Sequence, residues 1–310
     1  MRRLAIRFLP VFLALCLVLP LLPLRSTAEE RFEHEYLEIS DFDESTLEVD
    51  DPVIPWDQLK NVLNAHKVQE GSPVYKALVS INTVYASRLS SEQRSRPLLF
   101  LFEGCGSSSD PNLRLNALAV AIKDGEIVYY NPNCSTIPDY PFSPRKNGYT
   151  PMPTICSGIY TVTATNHISG KTSYAALQVE DAEVLRFRSK SSYYSSDSSG
   201  IHIHRRYLDT IPPWSYSWVN SCGCMLIGRE GASASGEYAR FLAAFGLIPS
   251  RWSGRSRFRY YVTGTVIVDR SQARSYLSAV GYSDEAIDLI GAEHINEEEP
   301  DAKGTGSSSF

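Results

Sequence analysis

The stretch Gly200-Ile201-His202-Ile203-His204-Arg205-Arg206, followed beyond a Pro/Trp/Tyr-rich segment by Ser221-Cys222-Gly223-Cys224-Met225-Leu226-Ile227-Gly228, holds two of the chain's six histidines and two of its six cysteines. Its first part alternates apolar and polar residues. A period of two suits a β-strand and puts His202 and His204 on one face. Met225-Leu226-Ile227 is a short apolar run of the kind that forms a buried strand, so Cys224 stands at the mouth of a second strand.

A thiol attacks a carbonyl as its thiolate, and therefore needs a base within hydrogen-bond reach and positive charge nearby. His204 is the candidate base, and Arg205 with Arg206 the candidate charge. The backbone N–H groups of Gly223 and Cys224 are placed to donate to an oxyanion, and Gly223 has no side chain to block the approach. Ser221, Cys222 and His202 complete the candidate site as supporting residues. Together these are the parts of acyl transfer through a thioester.

The same residues resemble the L,D-transpeptidase (YkuD-type) catalytic domain, whose mark is a histidine, a spacer, and then Ser/Thr-His-Gly-Cys. Here sixteen residues separate His204 from Ser221-Cys222-Gly223-Cys224. That spacing fits the family for His204 and overshoots it for His202. Cys222 stands where the family has its second histidine, and Met225-Leu226-Ile227 lacks the Arg or Asn that often follows the nucleophile. Upstream, Thr150-Pro151-Met152-Pro153-Thr154-Ile155-Cys156-Ser157-Gly158-Ile159-Tyr160 and then Ala175-Ala176-Leu177-Gln178-Val179 are similar in order to the family's P-T-x-x-G-x-Y segment and hairpin. The resemblance covers residues 115 to 230. It implies a mainly β, YkuD-like β-sandwich with flanking helices (α+β overall), Cys224 as nucleophile, His204 as base, no cofactor, and a peptidoglycan stem peptide as substrate. Cross-linking and L,D-carboxypeptidase outcomes both fit.

Other readings use the same residues. His202, His204, Cys222 and Cys224 offer two nitrogens and two sulfurs to a tetrahedral zinc ion, although structural zinc sites usually put more than one residue between their cysteines, so no metal is assigned. A secreted β domain that binds wall or glycan ligands in the same cleft without catalysis is the alternative function. His202 reads as a neighbour of the site.

Ahead of all this, Arg2, Arg3 and Arg7 precede an apolar run from Phe8 to Leu24 and the small residues Ser26-Thr27-Ala28. This is the pattern of a secretory signal over residues 1–28, and it predicts an exported protein with no stable membrane insertion after cleavage, which the resemblance implies is wall-associated; an uncleaved N-terminal anchor also fits. Without its four arginines the chain carries 26 basic against 35 acidic residues, a net charge of −9, which gives nucleic acid no basic patch to bind. The oligomeric state is not legible. Five cysteines remain, and an oxidising compartment favours pairing. Leaving Cys224 reduced, Cys105, Cys134, Cys156 and Cys222 allow two disulfides in three connectivities. Cys222 is expected to bridge to one of the other three. Cys134 and Cys156 also lie near the two ends of the stretch from Asn131 to Ser157, which has six prolines and which a bridge between them would clamp.

Residues 29–52 are acidic and read as a solvated linker. Residues 53–96 carry two amphipathic helices, the second with Ser72 as N-cap and Pro73 at its first position. The β-rich domain spans 97–295. It opens with the apolar run Leu98-Leu99-Phe100-Leu101-Phe102, continues with a hairpin at Asp124-Gly125 and a strand from Ser157 to Asn166, and places His167 in the following turn. His66 reads as a helix-surface residue. Beyond Gly228, apolar stripes predict helices before Gly246 and Gly281, a strand within 259–269, and a short helix capped by Ser283. Residues 296–310 are Gly/Ser-rich and read as a disordered tail.

Overall fold

The computed structural model describes residues 49, 51–107, 115–138, 141–142, 152–169, 172–198, 200–205, 221–228, 236–247, 262–292 and 294–295. The segment read as a signal, nearly all of the expected acidic linker, Arg206 and the expected C-terminal tail lie outside these residues. The fold is mainly β, a large mixed sheet with a smaller second sheet and a few helices.

Two features of the chain decide how the sheet is buried. β1 (Leu98–Glu103) and β11 (Val262–Asp269) pair in parallel, with Leu99 opposite Val266 and Leu101 opposite Val268. Leu98 to Phe102 of β1 and Val266-Ile267-Val268 of β11 are continuous apolar runs because both faces are covered there. Leu99, Leu101, Val266 and Val268 enter the main core cluster, while Leu98, Phe100, Phe102 and Ile267 face a second one. That second cluster is closed by α1 (Trp56–Ala65) and α2 (Pro73–Thr83), through Leu59, Leu63, Leu78 and Ile81. Ser72 caps α2 by accepting from the Tyr75 N–H at 3.2 Å, ahead of Pro73. A cap of this kind is worth about 1 kcal/mol.

β2 (Ala117–Lys123) and β3 (Glu126–Cys134) form the hairpin foreseen at Asp124-Gly125, with φ of 54° and 76° at those two residues, the mirror-image turn that suits strand twist. β5 (Gly158–Ser169), β6 (Thr172–Val179), β9 (Ile201–Arg205) and β10 (Met225–Ile227) complete the large sheet in the order β10-β9-β6-β5-β11-β1-β2-β3. The ends of this order meet. The Ser135 N–H donates to the Leu226 carbonyl at 3.0 Å, and the Leu226 N–H returns the bond at 2.8 Å, so the sheet curls onto itself at β10.

The smaller sheet, in the order β4-β7-β8, is made of β4 (Pro153–Ile155), β7 (Ala182–Ser189) and β8 (Ser192–Ser198). Ile155, Ala182 and Val184 join the main core, while Leu185 and Phe187 pack with Leu277, Ala286 and Ile290. Those last three come from α5 (Arg274–Val280) and α6 (Asp284–Gly291), the latter capped as expected by Ser283. After the short α3 (Ser91–Ser95), α4 (Glu237–Ala244) buries Tyr238, Phe241 and Leu242, the stripe expected before Gly246. A short β12 (His294–Ile295) pairs with β5. Among the described residues no helix is long and apolar enough to cross a membrane.

The expected disulfides are not formed. None of the five described cysteines is in a disulfide. Cys134 lies in the main core, Cys105 in the helix-covered cluster and Cys156 in the third cluster, so the hydrophobic units themselves keep the buried thiols apart. Cys222 is exposed and pairs with none of them.

Candidate active site

β6 lies between β5 and β9, and its register sets the site. Gln178 pairs with His202 and Leu177 with Ile203, while on the other edge Leu177 pairs with Ala164 and Ala176 with Thr165. Alternation then sends Ile201 and Ile203 into the main core and leaves His202 and His204 on the opposite face, as the sequence predicts. β5 continues past Asn166, so His167 follows Thr163 and Thr165 onto this same face instead of capping a turn. The small side chain of Ala176 between the two strands leaves room for rings to meet across it.

They do meet. The His167 and His204 rings stack with centroids 3.9 Å apart and planes 16° from parallel. His167 Nδ1 lies 2.8 Å from His202 Nδ1, one donating and the other accepting. His204 Nδ1 lies 2.6 Å from the Arg205 carbonyl oxygen and 3.2 Å from the Tyr174 hydroxyl. A carbonyl only accepts, so Nδ1 carries the proton and Nε2 keeps its lone pair.

Cys224 arrives from the other side. β10 pairs with β9 in parallel, Met225 opposite Ile203 and Leu226 opposite His204, which brings Cys224 to the level of His202. One ring nitrogen each of His167 and His204 and the Cys224 sulfur all lie within 4.8 Å of one another. The half-buried Cys224 Sγ also lies 3.9 Å from the Gly200 carbonyl. His204 is 4 % exposed.

Burial governs the protonation of the group. It takes the His204 imidazolium down to about 3 and the His167 imidazolium to about 4, with the neighbouring histidines and Arg205 adding to the effect, and lowers His202 too. Burial pushes the Cys224 thiol up to about 11, opposed by the backbone N–H groups of His202 and of Cys224 itself. The resting pair is thus thiol and neutral imidazole, with the proton still on sulfur.

Three other expected residues act differently from the sequence reading. The Arg205 guanidinium lies 4.3 Å over the Tyr174 ring, where its charge bears on His167 and His204. The Gly223 N–H donates to Ser221 Oγ at 3.1 Å, and the Ser221 hydroxyl donates to the Cys224 carbonyl at 2.5 Å. Gly223 is therefore not a ready oxyanion donor; with Ser221 it shapes the turn, leaving the His202 and Cys224 N–H groups as the donors at the sulfur. Its φ of 131° and its packing also require glycine, since a Cβ there would stand 2.4 Å from Pro153 Cγ. The zinc set of His202, His204, Cys222 and Cys224 is not assembled, because Cys222 points to solvent and His202 turns to His167. The donors that do converge, His167, His204 and Cys224, are two nitrogens and a sulfur of the type a zinc-like ion takes. His66 sits at the end of α1, its ring 3.8 Å from that of Tyr130.

His167 is the residue that sequence reasoning missed. Its signal was the alternation Thr163, Thr165, His167, continuing the strand beyond Asn166. Compared with known proteins, the chain matches no family model, no curated protein and no solved structure.

Proposed function

We propose that this chain is an exported cysteine acyltransferase of the L,D-transpeptidase type, built on a YkuD-like β-sandwich and acting on peptidoglycan stem peptides. One observation carries the reading: an imidazole with its proton fixed on Nδ1 by the Arg205 carbonyl lies within 4.8 Å of the sulfur of Cys224, the residue just before the neighbouring strand. Supporting the fold part, the smaller sheet sets Ile155, Ala182 and Val184 against the core of the large one.

In this reaction Cys224 Sγ attacks the carbonyl that precedes the terminal D-residue, and His204 Nε2 takes the thiol proton as the sulfur–carbon bond forms. The Cys224 N–H donates to the oxyanion. The C–N bond then breaks, and the D-residue leaves as an amine with the proton returned by His204. An acceptor amine, or water, attacks the thioester with His204 again as base, and the thiol is regenerated. His167, stacked on His204, positions the base.

The test is intact mass after incubation with a carbapenem or a tetrapeptide donor. Wild type is expected to gain one covalent adduct, and Cys224→Ser none while keeping its melting curve. An adduct that persists in Cys224→Ser would sink the assignment. No adduct on wild type with saturable binding of wall fragments would favour the non-catalytic binding domain, and one tightly held equivalent of metal by elemental analysis would make His167, His204 and Cys224 ligands.

A further inference from the structure

Where β1 and β11 end together, Phe102 opposite Asp269, the chain buries a second polar group unrelated to the histidine face. Glu103 Oε2 accepts from the Thr136 N–H at 3.1 Å and from its hydroxyl at 2.6 Å. Asp269 Oδ1 accepts from the Ser271 N–H at 2.7 Å and Oδ2 from the Tyr85 hydroxyl at 2.5 Å. Arg274 pairs with Asp284 and Asp288.

Arg270 is the exception. It is 3 % exposed, and its Nη2 donates to Thr136 Oγ1 at 2.9 Å. Its Nε and Nη1 are buried with no hydrogen-bond partner among the described residues. Glu103 keeps one oxygen unpartnered as well, yet the two side chains meet only through Thr136. Burying such donors unpaired costs on the order of 1–3 kcal/mol each, more when charged, so a stable fold has use for an acceptor here.

A place for one exists. Arg270 lines a cavity of about 360 Å³ together with Ser157, whose buried hydroxyl is likewise unpartnered. Val84, Tyr85 and Ile287 give the same cavity apolar wall. The volume is at the lower end for small-molecule sites and larger than one inorganic ion needs. Arg88, Arg270 and Arg274 line this space against Asp269 and Asp288, so the lining carries one net positive charge and calls for a single negative charge. A dianion would leave excess negative charge beside Asp269 and Asp288.

We propose that this cavity binds a small organic carboxylate, its head met by the Arg270 guanidinium and the Ser157 hydroxyl as these turn out of the wall that covers them, its body against Val84, Tyr85 and Ile287. The site is independent of acyl transfer at Cys224. The test titrates the full chain with hexanoate, acetate and inorganic phosphate, by calorimetry and by ligand-observed NMR. Hexanoate is expected to bind saturably at one site, and acetate more weakly for want of the apolar body. Arg270→Gln and Ser157→Ala should each weaken hexanoate about tenfold or more, the scale of a lost hydrogen bond to a charged group, and Cys224→Ser should change nothing. Should Arg270→Gln fail to fold, Ser157→Ala decides alone, since it removes one oxygen. The proposal is overturned by absence of saturable hexanoate binding to wild type, by unaltered affinity in Ser157→Ala, or by phosphate binding more tightly than hexanoate.

Discussion

The face that carries His167, His202, His204 and Cys224 and the corner that carries Glu103, Asp269 and Arg270 both take polar groups out of water, by different means. On the histidine face the groups are held neutral, and neutral rings can be satisfied by stacking on one another and by single hydrogen bonds. In the corner the partners are ionic or nearly so. Asp269 is met at both oxygens, while Arg270 is left with two nitrogens unmet. The lesson is that neutral polar groups can be pre-assembled for chemistry at low cost, whereas a buried charge needs every partner, and a missing one marks a place for something else.

Substitution of the histidines is the hardest blow to this comparison. His204→Ala is expected to lower single-turnover acylation by about 10²-fold or more, the scale of general-base work. His167→Ala should cost roughly tenfold, because a displaced base loses rate without losing its proton affinity, and His202→Ala less again. Equal losses at His202 and His204 would show that the face acts as a unit and not through one base.

Gly223→Ala tests the turn that delivers the thiol. A Cβ 2.4 Å from Pro153 Cγ, at a φ of 131°, should cost about 2 kcal/mol in chemical denaturation. A loss of only a few tenths would mean that the turn yields and that Cys224 is less fixed than its surroundings.

In the corner, burial pushes the Glu103 carboxyl above its ordinary 4.5. The folded protein therefore holds this proton more tightly than the unfolded chain. Its contribution to stability is present below the ordinary value and is lost as pH rises through the folded one. Glu103→Gln, which has no proton to lose, should gain melting temperature relative to wild type as pH is raised from 4.5, and the gap should level off once Glu103 is ionised. A gap that is flat across that range would show that Arg270 and Thr136 hold the carboxylate ionised throughout.

The mildest test is thiol labelling of native protein at neutral pH. Exposed Cys222 should be alkylated before Cys224, whose thiol stands at about 11, and Cys105, Cys134 and Cys156 only on unfolding. Labelling of Cys224 first would mean that it is a thiolate at rest.

Much of this was legible in the sequence because the signals are local. The apolar run of β1, the Asp124-Gly125 turn, the Ser72-Pro73 and Ser283 caps and the His-x-His alternation each follow from a few consecutive residues. β7 and β8 were not, since Ser192-Tyr193-Tyr194-Ser195-Ser196-Asp197-Ser198 has little apolar alternation and gains its order by pairing with β7. His167 was hidden by ending its strand early. The free cysteines were missed because compartment favours pairing but cannot say that three thiols fall into three separate hydrophobic clusters. Arg270 lies in Asp269-Arg270-Ser271-Gln272, which reads as a polar turn; only the parallel register of β1 and β11 takes it inside.

The bond pair between Ser135 and Leu226 has a kinetic side. Residues 135 and 226 are far apart in the chain, so the closure they make must be preceded by much of the sheet, and contacts of that range come late in folding. The strand they seal is the one that begins next to Cys224. A chain trapped part-folded, with β10 not yet laid on β9, carries its thiol without His204 beside it; the pair comes into existence only when those two strands meet.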